Sequence, residues 1–263
     1  VLTVAKLSVV LKKEKTEIVK SISFGLESGA SAVLLGQSGS GKTMTCHALM
    51  GLHNPKKMAV SGKILYGEMD LLAMLPKEKR KLYGGEIAFI PQNPMTALDP
   101  SMCIGKQMIE TLRLHLPENK KSLKQKVLAA LNEAGLSDTK RIYASYPHEL
   151  SGGMLQRVLF ALVIMTEARL VIADEPTTAL DVVHRTATID TFKRMREGGV
   201  AIVMVTHDFA AAVQLGGEIM IMKDGEIVES GAAAKLLYEP REEYTKALVS
   251  NSVLSSAIGE VRQ

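Results

Sequence analysis

Gly36-Gln-Ser-Gly-Ser-Gly-Lys42-Thr43 sets three glycines, a lysine and a hydroxyl at the spacing G-x-x-x-x-G-K-T. Glycine lets a backbone curl until successive N–H groups converge, and converging N–H groups suit phosphate oxygens. An apolar run, Ala32–Leu35, precedes the segment and a helical run, Thr43–Leu52, follows it, so the helix would add its positive N-terminal end. Gly36, Gln37, Ser38, Gly39, Ser40, Gly41, Lys42 and Thr43 would then wrap the phosphates of a nucleotide. Lys42 would neutralise the β- and γ-phosphates, and the Thr43 hydroxyl would ligate Mg²⁺. This spacing specifies nucleotide binding and leaves the use of the nucleotide open.

A second constellation lies downstream. Leu170-Val-Ile-Ala-Asp174-Glu175 is an apolar strand ending in two carboxylates. Alone, such a pair more often caps a helix or makes an ion pair, and Pro176-Thr177 marks a turn. With a phosphate loop upstream, Asp174 is expected to hold Mg²⁺ through water. Glu175 is expected to accept the proton of a water attacking the γ-phosphate. Alternation along a strand would aim the two acids to opposite sides.

The third is Leu150-Ser-Gly-Gly-Met-Leu-Gln-Arg157, which opens a helical stretch, Met154–Met165. Ser151, Gly152 and Gly153 would gather donors at a helix N-terminus, a second place for an anion. A lone Ser-Gly-Gly would read as an ordinary helix cap.

Taken in order, the phosphate loop, Gln92, LSGGMLQR, LVIADE, the Thr178-Ala-Leu-Asp181 run and His207 resemble the ATP-binding subunits of ABC transporters across nearly the whole chain. The resemblance implies ATP and Mg²⁺ as cofactors and ATP hydrolysis as the activity. It implies that Ser151, Gly152 and Gly153 close over nucleotide held by a partner's phosphate loop. Gln92 would sense Mg²⁺ and the attacking water, Asp181 would couple the two sites of a dimer, and His207 would contact the γ-phosphate. An isolated histidine at a strand end is more often structural, so His207 rests on its place in this order.

Pro91-Gln-Asn-Pro-Met-Thr-Ala-Leu-Asp-Pro100, Tyr146-Pro-His-Glu-Leu150 and Tyr238-Glu-Pro-Arg-Glu-Glu-Tyr-Thr-Lys-Ala-Leu248 resemble the peptide/nickel importer branch of that family. The branch implies import of nickel, metal–chelator complexes or small peptides. Its partners would be a second ABC ATPase subunit, usually a paralogue, two transmembrane permease subunits and, indirectly, an extracytoplasmic substrate-binding protein. The place of work would be the cytoplasmic face of the membrane. The alternative is a soluble ABC-type ATPase acting on nucleic acid or ribosomes, a class that usually carries long heptads, zinc modules or two fused ATPase domains. Many ABC ATPases stack adenine on an aromatic near the position of Leu11–Thr16; none stands there, so weak base stacking and modest selectivity for ATP over GTP are expected.

The elements that must position these groups are strands Ala32–Leu35, Ile87–Ile90, Leu170–Ala173, Val200–Val205 and Ile219–Met222. Between them lie the helical stretches Thr43–Leu52, Leu123–Ala134 and His184–Arg196. Such alternation predicts an α/β fold with a mainly parallel sheet, the P-loop NTPase core of an ABC ATPase. Leu2–Leu11, Ile18–Leu26 and Val60–Tyr66 predict an N-terminal antiparallel β layer, and the middle predicts an inserted helical subdomain over about 94–165. One ABC ATPase domain is expected over 1–250, followed by a tail, 251–263. The net charge of +4 carries no concentrated basic face, which argues against nucleic acid as a partner. The basic clusters Lys77–Lys81 and Lys120–Lys126 read as solvated faces. Only two cysteines, Cys46 and Cys103, far apart in sequence, argue against a disulfide framework. Val1–Lys13 reads as a strand rather than a signal peptide. The longest apolar run, Val158–Met165, falls far short of the ~20 residues a spanning helix needs.

Overall fold

The computed structural model describes residues 1–116, 118–178 and 182–251, with backbone alone for 182 and 183. Two compact units make up the chain. One joins Val1–Met74 to Ala173–Gln263, and the other is Leu75–Ile172.

In the first unit β1 (Leu2–Leu11), β2 (Glu17–Leu26), β4 (Met58–Tyr66) and β5 (Met69–Asp70) form an antiparallel sheet in the order β2-β1-β4-β5. The apolar period of β1 slips by one residue: Leu2 and Val4 are buried, and so are Leu7 and Val9. A bulge absorbs the slip, with Lys6 in the left-handed region at φ 49°. β2 does the same at Ser21, φ 51°, between buried Val19 and Ile22. Serine hydroxyls from the facing strand accept the N–H groups freed by both bulges: Lys6 N–H donates to Ser23 Oγ at 2.8 Å and Ser21 N–H to Ser8 Oγ at 2.9 Å.

The second sheet of this unit centres on β3 (Ser31–Leu35), parallel to β8 (Ala201–Thr206) on one side and to β9 (Glu218–Lys223) on the other. All residues of β3 and β8 are buried, which is why they read as unbroken apolar runs rather than alternating ones. β10 (Glu226–Ala232) returns antiparallel along β9 through Asp224 (φ 49°) and Gly225 (φ 87°). Two consecutive positive φ angles are those of the tight hairpin turn that Asp-Gly favours. Helices α1 (Lys42–Leu49), α7 (Val182–Glu197), α8 (Phe209–Leu215), α9 (Ala233–Tyr238) and α10 (Glu243–Ser250) complete the unit.

The second unit opens with α2 (Pro76–Leu82) and β6 (Ile87–Ile90), and ends within β7 (Leu170–Asp174), whose last two residues belong to the first unit. Between them lie α3 (Ile104–His115), α4 (Lys120–Glu133), α5 (Thr139–Ala144) and α6 (Gly152–Thr166). Their core is built at helical spacing: Ile104, Met108 and Leu112 from α3, Leu123, Val127 and Leu131 from α4, and Leu155, Val158 and Leu159 from α6. Burying each such side chain contributes about 1.5–3 kcal/mol. The basic clusters lie on α2, which buries no residue, and on α4.

The four-stranded layer depends on one glycine. Gly62, at φ 103°, passes the β1 bulge so closely that a Cβ would lie 2.4 Å from the Lys6 carbonyl oxygen. Gly62→Ala should therefore cost about 2 kcal/mol or more through strain and collision. The urea midpoint should fall accordingly, while Lys63→Ala on the same strand should move it little.

Candidate functional site

The phosphate loop fills the turn from β3 to α1. Gly36 runs against β9, where a Cβ would sit 2.2 Å from the Met222 carbonyl oxygen. Gly41 (φ 101°) runs against β2, where one would sit 2.7 Å from the Ile18 carbonyl oxygen. Gly39 has open space but φ 85°, so glycine is favoured there for its backbone rather than for room. Gly41 is the residue before α1 and offers no side-chain cap, and the first turn of α1 carries no acid. The helix thus leaves its N-terminal donors for an anion. The β9–β10 turn closes in from outside, Gly225 N–H donating to the Ser40 carbonyl at 3.1 Å.

Lys42 is buried at 4% exposure, and its Nζ donates to the carbonyls of Gly36 (2.7 Å) and Gln37 (2.8 Å), with Ser40 Oγ at 3.4 Å. Burial pulls its pKa below the usual lysine value, while the charges of Glu175 and Asp174 push it back up. Thr43 Oγ1 donates to Asp174 Oδ1 at 3.1 Å. Asp174 is 3% exposed; burial lifts its pKa above the ordinary carboxylate value, opposed by the Thr43 hydrogen bond and by His47. A hydroxyl and a poorly solvated carboxylate in contact are hard oxygen donors. They fit Mg²⁺, which commonly takes one or two carboxylates together with substrate phosphates.

Glu175 departs from the strand geometry expected for it. β7 ends at Asp174, and Glu175 takes φ 46°, a left-handed conformation that costs a non-glycine residue energy. The reversal, rather than simple alternation, separates the two acids. Glu175 N–H donates to the Val205 carbonyl at 2.8 Å. Its Oε2 accepts from Thr178 Oγ1 at 2.8 Å and lies 3.1 Å from His207 Nδ1. Behind His207, Asp208 caps α8 through Ala211 N–H and pairs with Arg185 of α7 at 2.9 Å. Lys42, Thr43, Asp174, Glu175 and His207 therefore meet at one end of β3, β7 and β8. Thr178 enters the sequence pattern only as the start of the run to Asp181, with no sign of its contact with Glu175, and Arg185, an arginine on a helix, carries no local signal.

Gln92 and Ser151–Gly153 belong to the second unit. Gln92 follows β6 and is exposed. Ser151 is the N-cap of α6, its Oγ accepting from Met154 N–H at 3.3 Å, and α6 starts at Gly152, earlier than the sequence suggested. Ser151 and Gly152 are exposed, with nothing within 4 Å of where a Gly152 Cβ would stand. Asp181 lies outside the described residues.

Residues 19–178 match the family described as ABC transporter. The metal-staphylopine import system ATP-binding protein CntD of Staphylococcus aureus (strain Mu50) is 34% identical over 95% of this chain and 92% of its own length. The dipeptide transport ATP-binding protein DppD of Escherichia coli (strain K12) is 38% identical over 94% of this chain and 77% of its own. Among solved structures, the ATP-binding cassette MJ0796 in a dimeric post-hydrolysis state bound to ADP and Pi superposes with TM-score 0.79. It covers 89% of this chain and 99% of that one at 24% identity, a likeness of fold alone. The chain belongs to the ABC transporter family, and within it to the ATP-binding, ATP-hydrolysing domain.

Asp174 gives this site a measurable stability signature. Its raised pKa means that the fold disfavours the charged form, a cost present at neutral pH and relieved as pH falls through the folded pKa toward the ordinary value. Asp174→Asn should thus raise the Tm of the chain at pH 7, with the gain shrinking as pH falls through the folded pKa. Thermal melts across pH check both parts; a fall in Tm at pH 7 would contradict the electrostatics.

Proposed function

We propose that the chain powers an importer for metal–chelator complexes or short peptides, from the cytoplasmic face of the membrane. In this arrangement it pairs with a second ATPase subunit and docks on two membrane permease subunits that an extracytoplasmic binding protein supplies. The observation that carries the catalytic part is the meeting of Thr43, Asp174, Glu175 and His207 beside the phosphate loop. The cargo class follows the names of the relatives above, one the ATP-binding protein of a metal-staphylopine import system and the other a dipeptide transport ATP-binding protein. Those names lend nothing to the alternative of an ATPase acting on nucleic acid or ribosomes. No helix among the described residues is long and apolar enough to cross a membrane, which fits a subunit whose permease partners do the spanning.

Each group has a distinct task. The loop N–H groups and the α1 N-terminus bind phosphate, and Lys42 exchanges its two carbonyl partners for phosphate oxygens. Thr43 and Asp174 would hold Mg²⁺, which supplies charge neutralisation on the β- and γ-phosphates. Glu175 takes the proton of the attacking water, held in position by Thr178 and His207. For Gln92, Ser151, Gly152, Gly153 and Asp181 the proposed roles rest on family membership. For Ser151 and Gly152 the open surroundings of the α6 N-terminus agree, since a group that serves a partner's nucleotide must be free to meet it.

Glu175→Gln should keep ATP affinity within about threefold and lower turnover at least ~100-fold, because the carboxylate base is lost while the Lys42, Thr43 and Asp174 groups remain. Equilibrium binding and phosphate release measure the two; turnover near wild type would remove Glu175 from the base role. Ser151→Arg should leave ATP binding by the isolated chain unchanged yet abolish nucleotide-driven dimerisation, seen by size-exclusion chromatography in the Glu175→Gln background. Loss of ATP binding by the monomer would contradict a role across the dimer.

A further inference from the structure

The C-terminal helix reaches the phosphate loop. Gln37 N–H donates to Tyr244 Oη of α10 at 3.0 Å, across 207 residues of sequence. The carbonyl of the same peptide unit, that of Gly36, accepts from Lys42 Nζ at 2.7 Å. One peptide plane is therefore gripped from both ends, by Lys42 on the inner side and by Tyr244 on the outer side. Gln37, Ser38 and Gly39 are otherwise exposed.

Tyr244 is itself held. Lys223 Nζ, at the end of β9, stands 5.3 Å from its ring centroid. The start of α10 is fixed by Glu229 of β10, whose two carboxylate oxygens accept from Arg241 N–H (2.9 Å) and Glu242 N–H (3.2 Å). A continuous path thus runs from β10 through the α10 N-terminus and Tyr244 to the first peptide of the loop.

We propose that Tyr244 is a positioning residue for nucleotide binding: it fixes the Gly36–Gln37 peptide so that the loop stays shaped when Lys42 leaves it for the phosphates. The proposal rests on the assignment of Lys42 to phosphate given above. When Lys42 transfers to a phosphate, the Gly36 carbonyl loses that donor, and the Tyr244 hydrogen bond goes on holding the plane from its Gln37 side, beside the packing of Gly36 against β9. Without the phenol oxygen the Gly36–Gln37 peptide gains freedom that the nucleotide must remove, which weakens binding and leaves the chemistry at Glu175 intact.

Tyr244→Phe removes the acceptor and keeps the ring over Lys223, so α10 retains its packing. One hydrogen bond of ordinary strength corresponds to about a fivefold change in affinity. The KM for MgATP of the assembled transporter should accordingly rise about fivefold with kcat within twofold. In the nucleotide-free subunit, amide exchange over residues 36–41 should accelerate while α10 keeps its protection. Glu229→Gln, which loosens the anchor of α10, should move both readouts in the same direction by less. Unchanged KM overturns the proposal even if exchange quickens, and so does a raised KM with unchanged exchange. Lys42→Ala separates the underlying assignment: if it retains ATP affinity, the phosphate role of Lys42 fails, whereas the exchange measurement on Tyr244→Phe does not depend on it.

Discussion

The site is organised by lack of room around a backbone. At Gly36 and Gly41 the loop touches carbonyl oxygens of β9 and β2 at distances no side chain could share. Because the loop has nowhere to go, its N–H groups keep their orientation before any phosphate arrives, which is the preorganisation that electrostatic binding needs. The rest of the first unit serves that confinement. The bulges of β1 and β2 keep a buried face on each side of the slip, β2 presents the Ile18 carbonyl to Gly41, and the Asp-Gly turn brings Gly225 against both Ser40 and Lys20.

Electrostatics supplies the tension in this frame. Lys42 and Asp174 are both largely removed from water, and burial pushes each toward its neutral form. Their nearest hydrogen-bond partners within the chain are carbonyls and a hydroxyl, which stabilise charge less than phosphate or a cation does. Such a pair costs stability at rest, and ligand relieves the cost. The left-handed Glu175 adds a second strained feature at the same place, held by Thr178, His207 and the Val205 carbonyl. Strain and poor solvation gather at the candidate site, while β3 and β8 are regular, wholly buried and apolar apart from Ser31 and Thr206 at their ends.

This division explains what the sequence made legible. The spacing from Gly36 to Thr43, the acids at Asp174 and Glu175 and the serine–glycine start of α6 are short-range patterns whose chemistry fixes residue type, so they stand out in one dimension. Buried strands stand out for the same reason, since both faces must be apolar. The edge strand β10 does not: Glu226–Ala232 is half-buried and mixed in polarity, and only the Asp224-Gly225 turn announces it. Nor do the contacts of Thr178, Arg185 and Tyr244 show in sequence, because they depend on partners brought close only by the fold. The run around Tyr244 is legible as a family likeness and silent about what the tyrosine touches.

The exposed start of α6 is the complement of the confined loop. A helix N-terminus with an exposed serine cap and an open Gly152 offers its donors to an anion, and no described atom lies within 4 Å of where a Gly152 side chain would begin. An open cap of this kind binds an isolated phosphate weakly, because water competes for the same donors. It becomes selective only when a second surface excludes that water and brings the phosphate already neutralised by a lysine and a cation. The open geometry of Ser151 and Gly152 therefore suits the role across a dimer proposed for them, and the confined geometry of Gly36–Gly41 suits the role proposed for the half that holds nucleotide first.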